Sequence, residues 1–176
     1  FQNSLEKKHI IVFGLGGVGG FALEALARAG VSNFTIVDFD TVSKSNINRQ
    51  IIALQSVVGV KKTELFQKRL LDINPKINLR IFDDFYDETL NDKIFEIKPD
   101  FTLDAIDSLR SKIKLLKYAT ENNFKIITSF GAGNRLDATK LKVTDIKEIK
   151  SNDQFVKNVL SKLKKEGVLE NLKEEF

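Results

Sequence analysis

Residues 9–38 have the sequence HIIVFGLGGVGGFALEALARAGVSNFTIVD, and the fold can be predicted from them. Its continuous apolar run, His9 to Phe13, predicts a strand that is buried on both faces. From Val18 to Ala29 the apolar residues recur every three or four positions, which predicts a helix that stops at Gly30. A second apolar run, Phe34 to Val37, predicts the next strand. Strand, turn, helix and strand in this order form one βαβ unit.

The turn between the first predicted strand and the helix has the sequence GLGGVG. It matches GxGxxG with a strand before it, a helix after it and an acid at the end of the next strand, which is the context that makes the pattern informative. Glycines allow the backbone to approach phosphate oxygens, and the positive end of the helix attracts them. Asp38 can accept hydrogen bonds from ribose hydroxyls. We therefore predict a nucleotide-binding turn formed by Gly14, Gly16, Gly17 and Gly19.

Strand-like and helix-like segments continue to alternate after Asp38, which is typical of a parallel sheet with crossover helices. We predict a helix over 62–72, strands over 77–82 and 101–105, a helix over 109–122, a strand over 125–129, a half-exposed edge strand over 141–146 and a C-terminal helix over 153–166. The last ten residues have no predicted partner. The expected fold class is α/β, with a Rossmann-like, doubly wound and mostly parallel sheet.

Length and composition limit the classes of protein. The 176 residues fit one domain, with a nucleotide-binding part over 1–150 and a C-terminal helical extension over 151–176. The 28 basic and 24 acidic residues give a net charge of +4, which is compatible with a polyanionic partner without requiring one. Since no long apolar run or secretory signal is visible, we expect a cytoplasmic protein. The absence of cysteine excludes CxxC zinc sites and thiolate nucleophiles on these residues.

Several polar residues after the βαβ unit have no role in a dinucleotide site: Asn46, Arg49, Gln50, Lys62 and Asp107. Backbone N–H groups and a helix end largely neutralise the pyrophosphate of a nicotinamide dinucleotide. A triphosphate under attack needs cationic side chains as well, and usually magnesium. These residues therefore favour ATP. An NAD-dependent oxidoreductase stays an alternative, because GxGxxG and Asp38 fit both cofactors.

Taken in order, these motifs resemble those of the ubiquitin-activating-enzyme-like superfamily of adenylating proteins. That superfamily carries GxGGxG, an acid pair after the second strand, N-x-x-R-Q, a lysine thirteen residues after the arginine, and D-A-x-D. The matching residues here are Gly14 to Gly19, Asp38 and Asp40, Asn46 to Gln50, Lys62, and Asp104 to Asp107.

The resemblance implies an adenylating domain in which the acid pair binds the nucleotide, with Asp38 on the ribose. It implies that the phosphates are contacted by Asn46, Arg49, Gln50 and Lys62 and that Asp107 holds magnesium. The implied catalytic residues are Arg49, Lys62 and Asp107. We expect Arg49 and Lys62 to lie on the surface.

Three later segments resemble the tRNA threonylcarbamoyladenosine dehydratase branch of that superfamily: Asp107 to Lys112, Gly131 to Thr139 and Val143 to Ile146. This resemblance implies that ATP and Mg²⁺ serve to adenylate the carboxylate of threonylcarbamoyladenosine in tRNA, so that a ring closes with net loss of water. We also expect a homodimer, both from the superfamily resemblance and because the C-terminal helix has little else to cover.

The residues leave alternatives open. An adenylating activator of the C-terminal glycine of a ubiquitin-like sulfur-carrier protein would look similar up to about Ser129, although such activators commonly carry cysteines. The lysines from Lys157 to Lys165 could face a tRNA backbone or could simply be solvated. His9 has no acid or nucleophile near it in the sequence, so we expect it to be structural.

Overall fold

The computed structural model describes residues 2–131, 133 and 136–170 of the chain. Its centre is a five-stranded sheet of β1 (His9–Phe13), β2 (Asn33–Val37), β3 (Asn78–Phe82), β4 (Phe101–Asp104) and β5 (Ile126–Thr128). The strands lie in the order β3-β2-β1-β4-β5, and every neighbouring pair is parallel. The predicted α/β fold with a doubly wound sheet is confirmed.

Six α-helices accompany the sheet within these residues: α1 (Gln2–Leu5), α2 (Gly19–Arg28), α3 (Lys62–Ile73), α4 (Asn91–Ile94), α5 (Leu109–Glu121) and α6 (Gln154–Lys165). Short 3₁₀ turns cover Lys44–Asn46, Gln55–Val57, Glu88–Leu90, Ala138–Lys140 and Ile146–Glu148. In the part of the chain that the structure describes, no helix has the length and apolar character needed to cross a bilayer.

Both faces of β1 are buried, as its unbroken apolar run predicts. Ile10 and Val12 point to a cluster that includes Leu23 of α2 and Phe66 of α3. Ile11 and Phe13 point to the other face, into a cluster completed by side chains of α4 and α5. Helices therefore cover the sheet on both sides, and β1 lies at its centre.

The strand order reverses beside β1. The chain runs outward through β2 and β3 and then returns to β4 on the other side of β1. The loops that follow β1 and β4 consequently start next to each other, and the N–H of Ala105 donates to the carbonyl of Phe13 at 2.8 Å. In open parallel sheets, ligands bind at the carboxyl ends of the strands where the order reverses.

The predicted edge strand over 141–146 is wrong. Residues 141–145 have no regular structure, and Ile146 begins a 3₁₀ turn capped by the side chain of Asp145. Leu141 is 90% exposed and Val143 is 84% exposed. Alternating polarity can only predict a strand if a sheet edge is available, and no strand among the described residues pairs with this segment.

The C-terminal helix is not unpartnered, which corrects a second expectation. The buried side of α6, with Val159 and Leu163, packs against Ile113 and Leu116 of α5. Val168 joins the same cluster and is 4% exposed, so the start of the last ten residues has a partner too. Residues 171–176 lie outside the described part of the chain, as do positions 132, 134 and 135 of the Gly131 to Thr139 segment. The division of the chain at residue 150 stays a prediction.

Candidate active site

The glycine turn ends β1 and leads into α2 at the point where the strand order reverses. Gly14 has φ +83°, a left-handed conformation that favours glycine. A Cβ at Gly14 would lie 2.7 Å from the carbonyl oxygen of Ala105, and a Cβ at Gly19 would overlap the carbonyl of Gly14. Glycine is thus required at position 14 because the turn lies directly against the loop after β4, and at position 19 because the start of α2 lies directly against the turn. The first turn of α2 contains no acidic residue, so its amides are not opposed by a nearby negative charge.

Asp38 connects this turn to the end of β2. Its side chain is 8% exposed, and it accepts hydrogen bonds from the N–H of Leu15 at 2.6 Å and the N–H of Asp40 at 2.8 Å. Burial raises the pKa of the Asp38 carboxyl, and these hydrogen bonds and the charge of Lys62 oppose the rise. Each carboxylate oxygen has a second lone pair, so a ribose hydroxyl can still donate to it.

Arg49 and Gln50 lie over the glycine turn. The carbonyl oxygen of Arg49 is 3.3 Å from the position a Cβ on Gly17 would take, and Nε2 of Gln50 is 3.7 Å from the corresponding position on Gly16. The Arg49 side chain is exposed, as expected, and Nη1 donates to the carbonyl of Ser45 at 2.8 Å. Gln50 is 7% exposed, and its buried Oε1 has no hydrogen-bond partner. Such an unsatisfied group beside a glycine turn fits a ligand site.

The side chain of Asn46 forms a hydrogen bond within the segment that leads to Arg49. Its Oδ1 accepts a hydrogen bond from the N–H of Ser43 at 3.0 Å, which completes a capping box around Lys44–Asn46. The structure therefore gives Asn46 a role in shaping the segment that carries Arg49.

Lys62 differs from its expected position. It is the first residue of α3 and is 3% exposed, so the expectation that it lies on the surface is wrong. Its Nζ donates to Oδ2 of Asp40 at 2.7 Å, and its own N–H donates to the carbonyl of Asp40 at 3.0 Å. These two contacts hold the start of α3 against the loop after β2. The lysine side chain is buried as a result, whereas the Asp40 side chain is 47% exposed.

Asp107 lies in the loop between β4 and α5, and its side chain is exposed. Ala105 of the same loop lies against Gly14 of the glycine turn, and Asp107 follows Ala105 two positions later in the sequence. Across the described residues, no group of three or more His, Cys, Asp or Glu side chains is arranged to hold a metal ion. Asp107 is therefore a single carboxylate and not part of a preformed metal cluster.

A buried ionic cluster next to this loop was missed by the sequence analysis. Asp104 and Lys112 are both fully buried, and Nζ of Lys112 donates to Oδ2 of Asp104 at 2.6 Å. Oγ1 of Thr128 donates to the same oxygen at 2.6 Å. Burial raises the pKa of the Asp104 carboxyl, and the neighbouring ammonium opposes the rise. The available signal was an acid at the end of a strand followed by a lysine in the first turn of the next helix.

Comparison with known proteins gives consistent matches. The ThiF family model matches residues 1–158. A tRNA threonylcarbamoyladenosine dehydratase of Bacillus subtilis is 39% identical over 165 residues, covering 94% of this chain and 65% of that protein. The Escherichia coli enzyme of the same name is 38% identical over 166 residues, covering 94% and 62%. A crystal structure of the E. coli enzyme in complex with ATP has a TM-score of 0.88 at 36% identity, covering 93% and 67%. The chain thus spans about two thirds of the length of these relatives.

Proposed function

Because this chain belongs to the ThiF family, we propose that it binds ATP and transfers adenylate to a carboxylate of threonylcarbamoyladenosine in tRNA. The observation that carries the proposal is the meeting of three segments at one place. The glycine turn, the Arg49–Gln50 segment over it and the loop of Asp107 beside it all lie where the strand order reverses. A structurally similar enzyme has been solved with ATP, which supports the choice of nucleotide.

The phosphates would lie on the amides of the glycine turn and the first turn of α2, where the helix end is positive. Asp38 would accept hydrogen bonds from the ribose, since its lone pairs are not all used by Leu15 and Asp40. Arg49 is exposed above the turn and can approach the phosphates. Lys62 supplies a second cation, which Asp40 holds in place at 2.7 Å while two of its three N–H donors remain for a ligand.

The donor set fits magnesium only together with the nucleotide. Mg²⁺ in nucleotide sites is commonly held by one or two carboxylates, with phosphate oxygens and water completing the shell. Asp107 offers one exposed carboxylate beside the turn, and the phosphates would offer the rest. When bound, the ion would offset negative charge on the departing pyrophosphate.

The proposed reaction balances without an enzyme thiol. An oxygen of the substrate carboxylate forms a bond to the α-phosphorus, and the bond from that phosphorus to the β-phosphate oxygen breaks, which releases pyrophosphate. A nitrogen of the same modified residue then attacks the activated carbonyl carbon, and AMP leaves with the carboxylate oxygen. The nitrogen loses its proton, so the nucleoside loses one water in total. None of these 176 residues is cysteine, and none is needed.

A calorimetric titration tests the nucleotide class directly. The proposal predicts that ATP with magnesium binds and that NAD gives no heat at the same concentration. Tight binding of NAD with no response to ATP and magnesium would contradict it and would return the site to the oxidoreductase alternative.

The partner surface is proposed to be the exposed side of α6. This helix presents Lys157, Lys162, Lys164 and Lys165, all exposed, and contains no acid between Gln154 and Lys165. A helix face of one charge suits a polyanion better than the mixed charges of an ordinary solvated face. We propose that these lysines contact tRNA phosphates.

We also propose a homodimer, which rests on the family alone. The second reason for it, an uncovered C-terminal helix, is removed by the packing of α6 on α5. Light scattering of the full-length protein should give twice the mass of one full-length polypeptide. A monomer at all concentrations would contradict the proposal.

A further inference from the structure

Lys112 has an environment that is unusual for a lysine. Its side chain is completely buried, and its ammonium group uses all three donors on oxygens at the carboxyl edge of the sheet. Nζ donates to Oδ2 of Asp104 at 2.6 Å, to Oγ1 of Thr128 at 3.1 Å and to the carbonyl of Ser129 at 3.0 Å. The ammonium therefore joins the end of β4 to the end of β5 and the residue after it.

The partner carboxylate carries this network into the neighbouring loop. Oδ2 of Asp104 accepts hydrogen bonds from Lys112 and from Thr128, while Oδ1 accepts from the N–H of Ile106 at 3.0 Å. Ile106 directly precedes Asp107. The backbone of Asp104 takes part too, because its carbonyl accepts from the N–H of Ser129 at 2.8 Å.

Stability alone gives a poor reason for such a pair. Taking two charges out of water is so costly that well-packed apolar residues of similar volume are often at least as stabilising as a buried ion pair. A buried pair is best explained where it selects one arrangement of the groups around it. Here the groups that the ammonium contacts belong to the end of β4, from which the loop of Asp107 starts, and to the end of β5 with the residue after it.

We propose that Lys112 is a positioning residue for the adenylation reaction: through Asp104 it fixes the loop of Asp107, and through Thr128 and Ser129 it fixes the start of the loop after β5. This rests on the proposed function of the site. The pair also keeps the Asp104 charge neutralised, so that Asp107 and the nucleotide phosphates do not face a second unpaired carboxylate. Lys112 itself does not contact the substrate.

The test compares a neutral replacement of the pair with the wild-type protein. D104N/K112M removes both charges together and so avoids leaving one of them buried alone. T128V removes only the hydroxyl group, and it provides a second test of the network if the double variant does not fold. A matched control is K8M/D100N, which removes the 2.7 Å ion pair at the opposite, amino edge of the sheet. Thermal melts identify any variant that fails to fold.

Two readouts separate positioning from mere stability. Amide hydrogen exchange in residues 105–108 and 129–131 should be at least about tenfold faster in D104N/K112M, and less affected in T128V, while exchange in β1 stays unchanged. In pyrophosphate release, kcat should fall by about tenfold or more while the KM for ATP changes less than about threefold. The control pair should show neither change.

The possible results distinguish a failure of the positioning role from a failure of the proposed function. A folded D104N/K112M with wild-type exchange in both loops and wild-type kcat overturns the positioning role. A wild-type protein that releases no pyrophosphate with tRNA overturns the proposed function instead, and the exchange comparison then still tests whether the network fixes the two loops.

Discussion

Arg49 and Lys62 are the two cations expected at the phosphates, yet they lie in different environments. Arg49 is exposed, whereas Lys62 is 3% exposed and paired with Asp40. Arg49→Ala should therefore lower the rate of pyrophosphate release by at least ~100-fold with an almost unchanged melting temperature. Lys62→Ala should cause a similar loss of rate and also cost about 1–3 kcal/mol of stability, because a buried hydrogen bond to a charge is lost.

Lys61→Ala is the matched control for this comparison. The Lys61 side chain is 43% exposed, and its Nζ pairs with Asp83 at 3.2 Å and not with the Asp40 carboxylate. Rates and melts of the three variants should be measured side by side. Wild-type rates in Arg49→Ala, or an equal loss of rate in Lys61→Ala, would be incompatible with the proposed phosphate contacts.

Asp107 should govern the response to magnesium. Since it is the exposed carboxylate of the loop beside the glycine turn, Asp107→Ala should abolish the dependence of the residual rate on magnesium concentration while the protein stays folded. A magnesium titration of pyrophosphate release measures this. An unchanged half-saturating magnesium concentration would exclude Asp107 as a ligand.

Among the elements, the βαβ unit and the five parallel strands could be predicted because each depends on local pattern. The strand predicted at His9 to Phe13 has those same bounds in the structure, and its two buried faces follow from an unbroken apolar run. The edge strand over 141–146 could not be judged locally, since a strand also needs a free partner edge. The burial of Lys62 depends on a contact with Asp40, 22 residues earlier in the chain, which no local pattern contains. Asp104 and Lys112 are only eight residues apart, but their burial as a pair depends on the packing of α5 against the ends of β4 and β5.

The helices α2 and α3 are joined by Glu24, whose carboxylate accepts hydrogen bonds from Arg69 and Arg28. The hydrogen bond from Arg69 lowers the pKa of Glu24 most, and the hydrogen bond from Arg28 lowers it further. Together they keep this pKa below its usual value, although burial acts to raise it. A lowered acid pKa contributes stability that is present above the ordinary pKa and is lost as pH falls through the lowered one.

Glu24→Gln should therefore lower the melting temperature at pH 7 by a few degrees, from a loss of about 1 kcal/mol. The difference from wild type should shrink as pH falls below the ordinary glutamate pKa, about 4.3, and through the lowered pKa of the folded protein. Melting curves across this range check the prediction. A difference that stays constant with pH would show that the charge of Glu24 does not matter.

For the whole molecule, binding of tRNA should depend on the lysines of α6. K157Q/K164Q should weaken tRNA binding and reduce the slope of log K against log salt by about 1–2. With fewer phosphate contacts, fewer counterions are released from the tRNA on binding. ATP binding should not change. K68Q/K76Q is the control, because these lysines lie in and just after α3, which covers the opposite face of the sheet from α5. Equal effects of the two double variants would contradict a specific surface on α6.

Mass analysis of the anticodon-loop nucleosides of modified tRNA tests the proposed dehydration directly. The tRNA is incubated with the protein, ATP and magnesium, with an otherwise identical sample containing Arg49→Ala as the control. We expect threonylcarbamoyladenosine to lose the mass of one water in the wild-type sample alone. An unchanged nucleoside, together with ATP–pyrophosphate exchange driven by a ubiquitin-like carrier protein, would contradict this expectation and would make carrier activation the function of this site.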